Sequence, residues 1–208
     1  MTARTFSLAL VMVAALAATA TRSTAEALSL AARAARFPAL RTATADFAQE
    51  REVSLVDDVL RAEGTLALGA PASFRLDLSA PESMTLIAAG STMTVVDAHG
   101  RTLPLPPEVS GLAAFARTLT DLLLGAHPPQ GFTEEWRDSD TVVLKPDPET
   151  ASPFTEITLR FPASGPLPDE IAMRERGGDR TTIRLRHIAL NPPLDPERFA
   201  TPVAKGPP

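Results

Sequence analysis

Period-two alternation of apolar and polar residues is the feature that most restricts this chain. Ala43, Ala45 and Phe47 fall on one side of an extended segment, with Thr44, Asp46 and Ala48 on the other. Leu60, Ala62, Gly64, Leu66 and Leu68 repeat the pattern, as do Phe74, Leu76 and Leu78 against Arg75, Asp77 and Ser79. Met84, Leu86 and Ala88 continue it, followed by Met93 and Val95. Successive side chains of a strand point to opposite faces, so these runs describe strands with one wet face and one apolar face. The runs LGAPAS, SAPES and DAHGR separate them at hairpin distances, giving an antiparallel meander.

The period changes after Ser110. That residue suits an N-cap, and GLAAFARTLTDLLLG puts Leu112, Phe115, Ala116, Leu119, Leu122 and Leu123 on one stripe. Gly125, Pro128 and Pro129 stop the helix. Period two then resumes at Val142 and Leu144, at Ile157, Leu159 and Phe161, at Ile171 and Met173, and at Ile183, Leu185 and His187. Ahead of the strands, EALSLAARAARFPAL places Leu28, Ala31, Ala32 and Ala35 at helical spacing, predicting a short helix that Pro38 ends. Near the other terminus Asp195 is placed to cap a single turn through Phe199. An apolar helix set between two runs of strands needs an apolar surface to lie on. The predicted fold class is therefore mainly β: a strongly curved antiparallel sheet whose concave face a helix covers.

The N-terminus reads as an address. Arg4 is followed by the uncharged run Phe6 to Ala18 and then by small residues. The run is shorter than the ~20 apolar residues a membrane-spanning helix needs. The order of charge, apolar run and small residues predicts a secretory leader cut after Ala20 or Ala27. The expected organisation is a leader over 1–27, one domain over 28–202 and a tail over 203–208. The chain has no Cys, so disulfides, zinc–thiolate sites, thiol catalysis and a lipid-modified cysteine are excluded. An exported, soluble protein held together by its core alone is expected, with the periplasm as its compartment. Either cut takes the formal charge from −5 to −6, and no basic stripe marks a nucleic-acid surface. The 20 prolines are scattered at segment ends, as in a domain of short strands.

Nothing in the sequence assembles into catalytic machinery, and no cofactor is expected. His99, His127 and His187 are far apart and lack metal-ligand spacing. His99 and His127 read as solvated loop histidines, and His187, on the face of Ile183 and Leu185, as semi-buried. The pairs Asp57–Asp58, Glu134–Glu135 and Asp169–Glu170 read as solvated charge. Hydrolase and nucleotide-binding glycine motifs are absent. Trp136, the lone tryptophan, reads as a core or cavity-mouth residue.

The segments LRTATADFAQE, AEGTLAL, GAPASFRLDLSAP, LIAAGSTMTVVD and LNPPLDPERFATP together resemble the periplasmic lipoprotein carrier family, LolA. Phe47, Gln49, Gly64, Pro71, Phe74, Pro81, Gly90, Asn191, Phe199 and Pro202 follow that family's order and spacing. The resemblance implies an unclosed antiparallel β-barrel lidded by helices, a monomer without metal or cofactor. Its interior would shelter the acyl chains of a lipoprotein, or of a related lipid, between an inner-membrane exporter and an outer-membrane receptor. The cavity would be lined by Phe47, Leu66, Phe74, Leu76, Leu78, Met84, Leu86, Met93, Val95 and Trp136. Its lid would contribute Leu112, Phe115, Leu119, Leu122 and Leu123. Periodicity by itself does not separate this hollow barrel from a filled one. Two positions depart from the family. Ala70 stands where an Arg often precedes the Pro aligned with Pro71, and Thr94, Val95 and Val96 replace an aromatic cluster. A non-transporting sensor or protein-interaction domain of the same fold is the alternative reading.

Overall fold

The computed structural model describes residues 29–55, 58–70, 73–89, 92–103 and 130–200. A short helix, α1 (Leu30–Ala34), precedes six strands: β1 (Thr42–Val53), β2 (Asp58–Gly69), β3 (Ser73–Ala80), β4 (Met84–Ala89), β5 (Thr92–Asp97) and β6 (Thr102–Leu103). Five more follow: β7 (Phe132–Trp136), β8 (Thr141–Pro146), β9 (Phe154–Arg160), β10 (Glu170–Glu175) and β11 (Arg180–Leu190). A 3₁₀ turn closes the described chain at Pro196–Phe199, with Asp195 capping it through Glu197 N at 2.9 Å. The expected leader, the expected helix with Leu112, Phe115, Leu119, Leu122 and Leu123, the tail, and His127, Asp57, Pro71, Gly90 and Pro202 lie outside the described residues.

All eleven strands join one antiparallel sheet in the order β6-β5-β4-β3-β2-β1-β11-β10-β9-β8-β7. Each half is a meander, because hairpin connections place sequence neighbours side by side. Pairing of the first strand with the last unites the halves at the sheet's centre. The edges β6 and β7 do not pair, so the barrel stays open, as expected.

Register slips at three places among the described strands, one of them between β9 and β10 at Arg174 and Glu175; the other two bear on the site. Register slips between β2 and β3 where Glu63 faces Ala80 but Gly64 faces Leu78. A Cβ built on Gly64 would lie 1.9 Å from the Asp77 carbonyl oxygen, so only glycine admits this approach. The second slip lies between β1 and β11, beside His187 in the left-handed region at φ 50°. The extra residue turns His187 outward, where its Nδ1 lies 2.7 Å from Asp46 Oδ2 and its side chain is 81% exposed. Ile188 takes the inward place instead. The expected semi-buried His187 is thereby corrected; a one-residue bulge reverses every face beyond it.

The core lies on one face. Ala43, Ala45, Phe47, Leu66, Leu68, Phe74, Leu76 and Leu86 belong to a single cluster with Val142, Leu144, Ile157, Leu159, Ile171 and Leu185. A smaller apolar patch occupies the outer face, where the Phe199 ring lies over Gly69, and Ala67, Ile87 and Val96 are buried. In β2 the alternation fades toward its start: Leu60 is 53% exposed, since β3 has ended before reaching it. Register keeps it on the apolar face with Leu66 and Leu68, where nothing described covers it at this end.

Candidate functional site

Register turns the inward side chains into ladders across the sheet. One ladder runs Ala45–Leu66–Leu76–Leu86–Val95–Leu103 from β1 to β6. A second runs Ala43–Leu68–Phe74–Ala88–Met93, and a third Phe47–Gly64–Leu78–Met84. The other half supplies Ile183–Ile171–Leu159–Val142–Trp136 and Thr181–Met173–Ile157–Leu144–Glu134. Opposed pairs of this kind are the unit of sheet stabilisation, and here they also form a continuous aliphatic floor. Of the sequence-predicted lining, Phe47, Leu66, Phe74, Leu76, Leu86 and Val95 are buried on this face. Leu78, Met84, Met93 and Trp136 are half-buried against it.

Sequence reading took its site residues almost wholly from the first meander. The inward residues of β8 to β11 share the same floor, and the same period-two signal could have included them. At the far end of β1 the floor turns polar. Inward-facing Gln49 is followed by Arg51, whose Nη2 reaches Asp179 Oδ2 at 3.0 Å and Glu175 Oε1 at 3.3 Å. The Ser54 backbone N–H donates to Asp179 at 3.0 Å. That bond, opposed by partial desolvation and helped by Arg51, holds the Asp179 carboxyl below its ordinary range. One end of the apolar floor therefore carries a structured polar rim.

The opposite edge is closed by α1. Sequence periodicity placed an alanine stripe inward, whereas the structure buries Leu30 and Arg33 and leaves Ala31 and Ala35 exposed. The Arg33 guanidinium donates to Pro162 O and, at 2.9 Å, to Gly165 O; it also lies 4.5 Å over the Phe161 ring. Burial lowers its pKa, with Asp140 opposing at 3.6 Å. Trp136 stacks on the same Phe161 ring, centroids 6.3 Å apart. Glu134 was expected to be solvated; instead its Oε2 accepts from the Leu30 backbone N–H at 3.0 Å and from Trp136 Nε1 at 3.4 Å. It is half-buried because β7 turns it inward while Glu135 points out to Lys145. Alternation with Phe132 and Trp136 is the signal that sets Glu134 apart from Glu135, and reading the pair as a loop leaves it unused.

The outer face offers different chemistry. Two adjoining depressions of about 310 and 290 Å³ lie over β11, β1 and β2, sharing Ala48, Glu63 and Arg186. Their walls include Arg184, which is satisfied by Glu50 and Glu170 within the sheet. Among the described residues no three His, Asp or Glu side chains are grouped to hold a metal. His99 is exposed in its turn, as expected. No described helix is long and apolar enough to cross a membrane. What the concave face can do chemically is bind apolar matter by contact, with polar groups confined to its rims.

The description "Outer membrane lipoprotein carrier protein LolA" belongs to the family that matches residues 39–202. No curated protein sequence matches the chain. Among solved structures, the LolA superfamily protein NE2245 from Nitrosomonas europaea is 11% identical over 82% of this chain and 95% of its own, with a TM-score of 0.48. A putative outer membrane lipoprotein-sorting protein domain from Vibrio parahaemolyticus is 8% identical, covers 81% and 93%, and scores 0.44. A chain of the Pseudomonas aeruginosa MucA/MucB complex is also similar: 11% identical, with 76% of this chain matching 54% of that one at a TM-score of 0.39. With most of its length matched, ladder floor and outer-face Phe199 included, this chain belongs to the LolA family.

Proposed function

We propose that the protein is an exported periplasmic carrier whose concave face takes up the acyl chains of a lipoprotein or related lipid. The observation that carries this reading is topological. β6 and β7 are opposite edges of the sheet, and the chain between Leu103 and Gln130 joins them. That connection contains the stripe of Leu112, Phe115, Leu119, Leu122 and Leu123, so an apolar segment links the rims of an apolar floor. Acyl chains leaving water gain about 0.8 kcal/mol per buried CH₂, which a floor of Leu, Val and Met supplies without directed polar groups. Met84 and Met93, half-buried at the margins of the ladders, are adaptable surface for a flexible ligand. The exporter, receptor and leader cleavage follow from the same proposal. Titration with a fluorescent fatty acid tests it: saturable binding is expected, weakened by Leu119→Ala with little loss of Tm. Absence of binding at concentrations that saturate a known lipid carrier would refute it. In the alternative, interaction-domain reading, a partner protein binds equally well with lipid present or absent.

A further inference from the structure

β2 outruns the strand beside it. β3 pairs with it from Gly69 back to Glu63, where Ala80 lies opposite, and Pro81 then leads the chain away. Among the described residues, 58–62 are paired on the β1 side only. Ladder parity shows which backbone groups face the free edge. Ala70 N donates to Arg41 O, in line with β1, so even-numbered residues of β2 bond toward β1 and odd-numbered ones away from it. The Val59 N–H, on the open side, is held only by the carboxylate of its own neighbour Asp58, at 2.7 Å. Val59 is 38% and Leu60 53% exposed. The edge is also held in place, because Asp179 accepts from Ser54 N and Oγ at the hairpin tip, both at 3.0 Å. Proteins blunt such edges or use them.

We infer that residues 58–62 form an isologous interface with a second copy of this chain, the two β2 edges pairing antiparallel about Leu60. An antiparallel two-fold requires a residue to face its own copy. Centred on Leu60, the pairing sets Asp58 opposite Ala62 of the copy, Val59 opposite Arg61 and Leu60 opposite Leu60. No like charges face one another. The Val59 and Arg61 backbones exchange hydrogen bonds, and Leu60 occupies the close, non-hydrogen-bonded position. The open window runs from Asp58 to Ala62 and is bounded at its inner end by Ala80, the last residue of β3, opposite Glu63. Such a contact buries little area, so the dimer is weak and concentration-dependent. It goes beyond the single-copy carrier expected from the sequence and does not depend on lipid binding.

Sedimentation velocity of the exported protein from micromolar to millimolar concentration should show a monomer–dimer equilibrium. Leu60→Lys, which sets two ammonium groups on the axis, should weaken association by about tenfold or more. The chain has no cysteine, so single replacements report register directly. Leu60→Cys should oxidise to a covalent dimer, because opposed Cβ atoms there are within disulfide reach. Val59→Cys should not. A monomer throughout, association unchanged in Leu60→Lys, or equal cross-linking of the two cysteine variants would overturn the proposal; thermal melts confirm that these exposed-site variants are folded.

Discussion

Asp77 shows how one side chain ties the outer face together. Partial burial favours its neutral form, but hydrogen bonds from Arg75 and Thr85, with Arg198 close by, hold its carboxyl below the ordinary 3.8. Arg75 in turn donates to the Arg198 carbonyl at 3.0 Å, so the carboxylate fixes the turn that carries Phe199. A depressed folded-state pKa contributes stability above the unfolded value and loses it as pH falls through the folded one. Stability should therefore decline below about pH 3.8, and Asp77→Asn should be less stable at neutral pH yet show a shallower acid decline. Chemical denaturation across that range, wild type against variant, checks it; parallel profiles would remove Asp77 from the linkage. Gly64 is the complementary residue-scale case, where a missing Cβ and not a charge admits the neighbouring strand.

Among elements, α1 is too short to be stable alone and depends on its anchors. Arg33 supplies carbonyl hydrogen bonds and a ring contact, while Glu134 satisfies one of the free N–H groups at the helix start. Arg33→Ala leaves two carbonyls without their donor and uncovers the Phe161 ring. It should destabilise the protein by about 2–4 kcal/mol, measured by denaturant unfolding. Arg33→Lys should recover only part, since an ammonium on a shorter stem lacks the planar face that lies over the Phe161 ring. The 3₁₀ turn covers the outer apolar patch in the same manner, by one ring over a glycine. Two short terminal elements thus seal opposite faces of one sheet.

For the whole molecule, the open question is whether the concave face admits a guest. Leu76 sits mid-ladder between Leu66 and Leu86, only 9% exposed. In a filled core Leu76→Trp would overpack and cost about 1–3 kcal/mol. In a face built to receive acyl chains the indole occupies the ligand's place, so Tm should hold while fluorescent fatty acid affinity falls. Paired melts and titrations distinguish the outcomes, and a destabilised variant with undiminished lipid affinity would count against the carrier.

Alternation alone determined the strands, their antiparallel order within each meander and the apolar character of one face, because side-chain direction follows from backbone period and is local. The Asp195 cap was likewise written in neighbouring residues. Tertiary structure alone decided the rest. Pairing of β1 with β11 joins segments more than a hundred residues apart, and the bulge there turned His187 outward against its local pattern. The inward Arg33 was illegible for the same reason: a charged side chain is placed inside only when distant carbonyls, rings or N–H groups arrive to satisfy it. Local periodicity orients a residue, but only the assembled sheet determines what that residue meets.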